Sequence, residues 1–451
     1  MKLTHEIADL ILDTSYNKLP KEAVAIAKNC FLDTIGVALA GLNEPASKIA
    51  LDYVKENGGK PEAGIIGSSL KTTPALAALV NGIVAHALDF DDNSWAYIGH
   101  PSTVILPTVL AVGEKVNASG KDLILAYVTG LETVCRIGAL VTPNLSEIGW
   151  HTTSTVGIFG ATAAAGRLLN LNHNGMVYAL GIAASESAGV KVNFGTMTKP
   201  FHAGKSAHDG VLAATLAKKG FTSANSALEH YYGFLKVFGN RASAPSLKKK
   251  WDNPFAVIDP GVVIKKFPSC TGTHPCVDAV IALAEEHDIT PQDVESFSAG
   301  ATPEVPREVF YPNPKNGLEA KFSMEYCVST ALIYRDLKLI HFTDEYINKP
   351  ETRALMKRCR YYVEPKLTKP KGVFSPAGIV EIKLKNGKTY TKRVDLARGN
   401  PGNEMSQEEL IGKFKDCVAG RLSKGKMSRL LETVLDLEKL DEAGELLALT
   451  R

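Results

Sequence analysis

The sequence predicts a mainly α protein, in which a smaller α+β lid domain is inserted into a large all-helical domain before the last helices. From about residue 5 to 245, apolar residues recur at spacings of three and four, the period of a helix with one buried face. Near residue 252 turn residues become frequent, and segments with alternating apolar residues follow. The chain then ends in helical patterns. The predicted domains are therefore 1–255 with 402–451 for the helices, and 256–401 for the α+β lid.

The helical domain is predicted from a series of long periodic segments. LPKEAVAIAKNCFLDTIGVALAG from Leu19, PALAALVNGIVAHALDF from Pro74 and KDLILAYVTGLETVCRIGAL from Lys121 each carry an apolar stripe. TVGIFGATAAAGRLL from Thr155 is rich in glycine and alanine. Because small residues let helices approach closely, this segment is predicted to be a buried central helix.

The α+β domain is predicted from short strands between helices. Predicted strands are GVVIKKFPS, VESFSAGAT and RYYVEP, and GIVEIKLKNGKTYTKRV predicts a hairpin around Asn386-Gly387. The helices PCVDAVIALAEEH and LEAKFSMEYCVSTALIYRD lie between them. After this domain, Ser406 and Glu409 predict a capping box that begins the next helix.

Charge and cysteine content argue against several classes of protein. Lysine and arginine number 51 against 48 acidic residues, a net charge of +3, which is too balanced for a nucleic-acid partner. The N-terminal stretch lacks the pattern of a signal peptide, and unbroken apolar runs are shorter than the roughly 20 residues of a membrane span. The seven cysteines are scattered without a C-x-x-C pair, as is typical of free thiols. We therefore expect a cytoplasmic protein with no membrane or nucleic-acid partner.

No motif for a cofactor or a metal is found. The glycines form neither G-x-G-x-x-G nor a P-loop after a predicted strand, so a nucleotide is not expected. Cys270 and Cys276 flank His274, but no fourth ligand with the spacing of a zinc site follows. H-E-x-x-H and G-x-S-x-G are also missing. The sequence therefore predicts no cofactor and no metal.

The stretch HALDFDDNSWAYIGHPS, residues 86–102, concentrates acidic residues at the end of a predicted helix. His86 and Asp89 are one turn apart, within hydrogen-bonding reach on one helix face. Three carboxylates in 89–92 face the negative end of the helix dipole, so something local must compensate them. An active site, an exposed helix end and a divalent metal all remain possible. His100 follows on the next loop.

Two further stretches carry candidate acid–base residues. His151 directly precedes the small-residue helix, whose positive dipole end disfavours the charged imidazole and favours a neutral base. A packing or capping histidine is the alternative. Lys199 and His202 lie before a predicted helix, where the pre-proline position of Lys199 favours extended backbone. Apolar neighbours can desolvate this ammonium group and lower its pKa, although a lone lysine is more often a surface residue.

In IKKFPSCTGTHPCVDA a predicted strand with Lys265 leads to a predicted helix at Pro275. His274 lies just before that helix, whose N-terminus favours anions. Across all four stretches, histidines and lysines occupy junctions between loops and helices. Such a set suits the binding of carboxylates and the transfer of protons.

These four stretches, with AKFSMEYCVSTAL from Ala320 and ARGNPGNEMS from Ala397, resemble the MmgE/PrpD family in the same order over nearly the whole chain. That family includes 2-methylcitrate dehydratases, cis-aconitate decarboxylases and iminodisuccinate epimerases. The resemblance implies a homodimer with its active site in the cleft between a helical domain and a lid.

The resemblance also assigns residues. It implies catalytic roles for His151, Lys199, His100 and Asp89. The candidate substrate-binding residues are His274, Tyr326, His202, Asn93 and Lys265, where His274 and Tyr326 match lid residues of the family. The decarboxylases resemble one another in having threonine at the position of Asn93, and their spacing from Asp89 to His100 is one residue shorter. Both differences count against decarboxylation but do not exclude it.

The expected function is a cofactor-independent lyase that abstracts a proton next to a carboxylate of a small di- or tricarboxylate, first a 2-methylcitrate-type dehydratase. An iminodisuccinate-like epimerase or a cis-aconitate decarboxylase is the close alternative. All three reactions need a proton to move at carbon and an enediolate-like charge to be stabilised, which lysine and histidine can do. A non-catalytic carboxylate-binding protein and a metal-dependent hydrolase are alternatives of other classes.

Overall fold

The computed structural model describes residues 2–241, 245–367 and 376–451. This part of the chain is mainly helical, as predicted. The α-helices, numbered in chain order from α1 to α20, are Leu3–Asp13, Lys21–Gly41, Pro45–Asn57, Pro74–His86, Ser102–Val116, Gly120–Val141, Asn144–Glu147, Thr152–Thr155, Gly157–Leu168, His173–Glu186, Thr198–Lys218, Phe234–Val237, His274–Glu286, Gly317–Ala320, Met324–Tyr334, Asp344–Ile347, Pro350–Met356, Gln407–Val418, Lys424–Leu435 and Ala443–Leu449.

The strands form one pair and one small mixed sheet. Numbered β1 to β6, they are Ala63–Gly64, Lys71–Thr72, Val294–Ala301, Cys359–Val363, Gly378–Leu384 and Thr389–Val394. β1 and β2 pair within the first half of the chain, so this half is not all-helical as predicted. The sheet has the order β4-β3-β5-β6, with β3 and β4 parallel and the other neighbours antiparallel.

Three of the predicted strand segments and the capping box are confirmed. β3, β4 and the hairpin of β5 and β6 lie where the alternation predicted them, and Gly387 in the hairpin turn has a φ of +87°. Ser406 accepts from the backbone N–H of Glu409, whose side chain accepts from the N–H of Ser406.

Two predicted elements are wrong. GVVIKKFPS is not a strand of the sheet: Val263 forms an isolated bridge with Asn93, and the next N–H donates to Gly399. Its apolar residues are buried because the segment runs between two packed parts of the fold. The helix predicted from Leu318 is two helices, α14 and α15, since Ser323 caps α15 by accepting from the N–H of Tyr326.

Two hydrophobic cores lie on either side of the segment around residue 264. The first core is built from the helices of residues 3–257 together with α18, α19 and α20. The second core is built from the four-stranded sheet, α13, α15 and α17. The domain boundaries at 256 and 401 and the lid role stay predictions, and residues 368–375 of the predicted lid lie outside the described residues.

Two helices, α2 and α6, reach the length and mean hydropathy of a membrane span. The sequence did not predict this, because the unbroken apolar runs in it are shorter than these helices. Within their most apolar windows, 67% of α2 and 83% of α6 are buried inside the fold. Core helices of this kind pass the same test of length and composition.

The close contact of α4 with α11 positions the candidate site. A Cβ on Gly82 would lie 2.7 Å from the Cα of Gly204, and a Cβ on Gly204 would lie 2.2 Å from the carbonyl oxygen of Leu79. The two backbones therefore approach more closely than any larger residue permits. This contact brings His86, at the end of α4, to Lys199, at the start of α11.

We expect Gly204→Ala to destabilise the protein by about 1–3 kcal/mol, the usual range for overpacking a core, because the new methyl group meets backbone that cannot move locally. The free energy of unfolding in urea measures this. Gly412→Ala on α18 is the control, since nothing lies within 4 Å of its Cβ position and alanine stabilises a helix relative to glycine. Equal stabilities of the two variants would contradict the packing argument.

Candidate active site

Buried lysines hold the turn that follows α4. The φ of Asp89 is +51°, in the left-handed region, so the chain leaves the helix sharply. Three consecutive carbonyls of this turn each accept a hydrogen bond from a buried ammonium group: Leu88 from Lys321 at 2.7 Å, Asp89 from Lys265 at 2.8 Å and Phe90 from Lys413 at 2.9 Å. These lysines come from three distant segments, so the whole fold defines the turn.

The carboxylate of Asp89 is the centre of the charged cluster. Its Oδ1 lies 2.6 Å from Nζ of Lys199 and 3.1 Å from Nζ of Lys265. Burial disfavours ionisation of this carboxyl, but the two ammonium groups outweigh it and hold the pKa of Asp89 well below its usual value. Within the described residues Oδ2 has no hydrogen-bond partner. The lysines, rather than a helix end open to solvent, compensate this charge.

His86 pairs with Asp91, whereas the sequence placed it beside Asp89. Its Nδ1 lies 2.8 Å from Oδ2 of Asp91, and its Nε2 lies 3.0 Å from Nζ of Lys199. Because an ammonium group can only donate, Nε2 accepts and Nδ1 carries the proton given to Asp91. The helix ends at His86, so the next turn that the prediction required does not form.

His100 faces the same cluster from the loop before α5. Its Nδ1 lies 2.8 Å from the backbone carbonyl oxygen of Asp92, which can only accept, so Nδ1 carries the proton. Nε2 is then an acceptor, 3.9 Å from Oδ1 of Asp89. Burial, with the nearby ammonium groups of Lys265 and Lys199, holds the pKa of His100 well below its usual value despite the carboxylate of Asp91. His100 is therefore a neutral imidazole at neutral pH.

His151 is also neutral, for a reason that differs from the prediction. It precedes the single turn of α8, and burial followed by the charge of Lys199 holds its pKa well below its usual value. Its Nδ1 lies 3.1 Å from Nδ1 of His202, whose pKa burial lowers to about 4. The edge-to-face contact with Phe194, at 4.9 Å between centroids, orients its ring.

Lys199 is the second residue of α11, so the extended backbone predicted for it is wrong. Pro200 lies in the first turn, where the missing N–H costs no helical hydrogen bond, and this overrides the bias of the pre-proline position. His202, one turn further along the same helix, is buried behind His151.

A cavity with about 490 Å³ of empty space adjoins the cluster. Of the candidate residues, those lining it are Asp89, Asn93, His100, His151, Lys199 and Lys265. Asn93 accepts a hydrogen bond through Oδ1 from the hydroxyl of Thr271 at 2.9 Å. The structure thus brings six of the nine candidates together on the wall of one cavity. Their functional roles stay predictions.

His274 and Tyr326 are not among the described residues that line this cavity. His274 is completely buried, with Nε2 3.2 Å from the carbonyl oxygen of Ser269, and burial lowers its pKa to about 3. The hydroxyl of Tyr326 donates to the carbonyl of His341 inside the second core. Cys270 and Thr271 line the cavity instead, because the turn formed by residues 271–273 lies between Cys270 and the start of α13.

Sequence reasoning missed several residues that line the cavity: Trp95, Trp150, Lys191, Phe194, Cys270, Thr271, Glu308 and Phe322. Most are aromatic or neutral residues without a motif of their own. A signal was available for Phe194, which lies five residues before Lys199, and for Cys270, which lies between Lys265 and His274. Nothing in the sequence pointed to Glu308.

The residues of the cluster do not fit a metal ion while Lys199 is in place. Ligand atoms of His86, Asp89, Asp91 and His100 lie within 4.8 Å of one another. However, Nζ of Lys199 already contacts Nε2 of His86 and Oδ1 of Asp89. A divalent cation would meet an ammonium group at two of its four ligands, and Lys265 at one of them. Lysine supplies the positive charge here.

A buried carboxylate between two ammonium groups, with neutral histidines on a shared cavity, is an arrangement that can bind an anion and transfer protons. The models of the MmgE/PrpD N-terminal and C-terminal domains match residues 5–246 and 267–439. The chain belongs to the MmgE/PrpD family. The C-terminal match includes α18 and α19, although these helices pack on the first core.

The similar proteins are enzymes of two kinds. Cis-aconitate decarboxylase of Mus musculus is 29% identical over all of this chain and 93% of its own length, and that of Homo sapiens is 28% identical over all of this chain and 94% of its own. The 2-methylcitrate dehydratase of Escherichia coli (strain K12) is 24% identical over 97% of this chain and 94% of its own length. Both activities are those of lyases.

Asp92 lies behind the cavity wall and differs electrostatically from Asp89. Its Oδ1 accepts from the N–H of Ser102 at 3.1 Å, and its Oδ2 contacts the hydroxyl of the same serine, which lies 2.7 Å from the hydroxyl of Tyr127. No ammonium group of the described residues forms an ion pair with Asp92. Burial, with the charges of Asp33 and Asp91, raises the pKa of Asp92 to about 7.

We expect Asp92→Asn to gain stability relative to the wild type as pH rises from 5 to 8. Between the unfolded pKa of roughly 4 and the folded pKa of about 7, unfolding releases this proton, so the wild type loses stability as pH rises and levels off above that range. Asparagine cannot ionise and keeps the contacts to Ser102. Urea unfolding at several pH values measures the difference, with Asp441→Asn at an exposed position as control. A difference independent of pH would disprove the assignment.

Proposed function

We propose that this protein is a cofactor-independent lyase that acts on a small di- or tricarboxylate by moving a proton at the carbon next to a carboxylate. The observation that carries the proposal is the pairing of Asp89 with Lys199 and Lys265 beside neutral His100 and His151 on one cavity. Similarity to decarboxylases and a dehydratase over nearly the full chain supports it.

Lys199 is suited to hold a substrate carboxylate. An ammonium group has three N–H donors, and those of Lys199 contact Asp89 and His86 while the side chain also lines the cavity. The third donor can therefore bind a carboxylate oxygen. As a proton leaves the adjacent carbon, negative charge builds on that carboxylate, and a fixed ammonium group in a buried site stabilises this charge.

His151 is suited to move the proton. A neutral imidazole can accept a proton at neutral pH, and burial keeps His151 neutral. We propose that Nδ1 of His151 donates to Nδ1 of His202, 3.1 Å away, which leaves Nε2 of His151 as the acceptor. His100 is a second candidate base, because its Nδ1 donates to a backbone carbonyl and its Nε2 is therefore also an acceptor. In a dehydration, the proton for the departing hydroxyl must come from a donor such as the ammonium group of Lys199.

Decarboxylation of a tricarboxylate of the cis-aconitate type is the first candidate reaction, because the identity of 28–29% to the mouse and human decarboxylases exceeds the 24% to the dehydratase. Dehydration of a 2-methylcitrate-like hydroxy acid is the second, and Asn93 favours it. With Oδ1 of Asn93 engaged by Thr271, the amide nitrogen is a donor for a substrate hydroxyl, and it has no partner in the part of the chain that the structure describes.

Turnover of a panel of acids tests the proposal. We expect at least one of cis-aconitate, 2-methylcitrate and citrate to be converted in deuterated water, with deuterium at the carbon next to a carboxylate, detected by NMR. Release of CO2 identifies decarboxylation, and loss of water identifies dehydration. The rate should not change after EDTA treatment, because lysine supplies the charge at Asp89. Neither turnover nor exchange with any of these acids, or a rate restored only by a divalent ion, would refute the proposal.

Variants separate the two roles. We expect His151→Gln to lower kcat by about 10²–10⁴-fold with little change in affinity, the usual effect of losing a general base. Lys199→Ala should weaken binding and slow the reaction, because it removes a charge that contacts the substrate. Lys205→Ala is the matched control, since Lys205 lies on the same helix and pairs with Asp209 away from the cavity lining. Isotope exchange that persists in the His151 variant and disappears in the Lys199 variant would reverse the assignment.

A further inference from the structure

We propose that Lys191 forms a second carboxylate-binding subsite of the cavity, which takes up another carboxylate of the substrate in exchange for the carboxylate of Glu308. The inference rests on the proposed function, and it names the feature that selects substrates with at least two carboxylates. Lys191 lies in the single turn Lys191–Asn193 that follows α10.

Lys191 lies where two pockets meet. It lines the cavity beside Asp89 and also an adjoining pocket with about 590 Å³ of empty space. Its side chain is only 12% exposed. Nζ lies 3.1 Å from Oγ of Ser146, 3.5 Å from the carbonyl oxygen of Ser146 and 3.4 Å from Oε1 of Glu308. This ammonium group therefore lies at the cavity wall, within reach of a bound anion.

The contact between Lys191 and Glu308 is the replaceable one. Lys199 contacts Asp89 at 2.6 Å, and both of these side chains are 5% exposed. Glu308 contacts Lys191 at 3.4 Å, and its side chain is 31% exposed. Since a partly solvated ion pair contributes little net stability, a substrate carboxylate can displace Glu308 at small cost. Water then solvates the released glutamate.

The spacing of the two lysines fits a small polycarboxylate. Nζ of Lys191 lies 5.7 Å, and Nζ of Lys199 5.3 Å, from the centroid of the Phe194 ring. The two ammonium groups are therefore separated by no more than the sum of these distances. Each hydrogen bond to a carboxylate takes up about 2.7–2.9 Å, so at most the length of a short carbon chain remains between the two carboxylates. Phe194 contacts both ammonium groups and lines the same cavity.

Binding of an unreactive tricarboxylate to matched variants tests the subsite. Tricarballylate has neither a hydroxyl to eliminate nor a double bond, so calorimetry measures its binding alone. We expect Lys191→Met to raise Kd by about tenfold or more, the effect of losing one charge-assisted hydrogen bond, and Lys191→Arg to restore affinity. Glu308→Gln should lower Kd, because it removes the competing anion. Arg307→Gln is the control: it breaks the neighbouring pair with Glu147 and leaves Lys191 intact.

The opposite signs exclude a purely structural ion pair. If Lys191 and Glu308 only tie two parts of the fold together, both variants lower stability and shift Kd in the same direction or not at all, and the subsite is overturned. That result leaves turnover of the acids by the wild type, and hence the proposed function, intact. Opposite shifts in a protein that converts none of the acids support the subsite and overturn the lyase. A wild type that binds no tricarboxylate overturns both.

Discussion

A carboxylate buried away from water is unstable unless positive charge or hydrogen bonds replace its hydration, and the site is organised around this requirement at Asp89. Lys199 and Lys265 meet it directly. Since each lysine is itself buried, the carboxylate of Asp89 in turn compensates the charge of both ammonium groups. The three side chains therefore form one unit, and the cavity beside it presents ammonium donors whose positions are fixed before any substrate arrives.

The fold supports this unit from both of its cores. Lys413 extends from α18, which packs on the first core, whereas Lys321 lies in the second part of the fold, just before α15. Both donate to carbonyls of the turn that carries Asp89, and Lys413 also lies 2.6 Å from Asp33 of α2. A displacement between the two parts would therefore first disturb the turn that carries Asp89. This arrangement couples their packing to the geometry of the charged centre.

Features that depend on local sequence pattern or on the family resemblance could be predicted from the sequence. Features that depend on contacts between residues distant in the sequence could not. The helical periodicity, β3, β4 and the hairpin at Gly387 were predictable, as was the grouping of His151, Lys199 and Asp89. The partner of His86 was not, because lysines remote in sequence end α4 and turn the chain at Asp89. Apolar alternation in GVVIKKFPS reports burial and carries no information on pairing. Because a single turn at 271–273 precedes α13, Cys270 rather than His274 lines the wall of the cavity.

The hydrogen bond from His100 ends on a main-chain oxygen, that of residue 92. Every amino acid has this carbonyl, so replacement of the side chain at position 92 leaves the acceptor in place. A substitution at position 92 therefore leaves the tautomer of His100 unchanged. The proton on Nδ1 of His86, by contrast, is donated to the side chain of Asp91, so a substitution of Asp91 removes that acceptor. His100, which lines the cavity, thus keeps its proton on Nδ1 whichever residue occupies position 92.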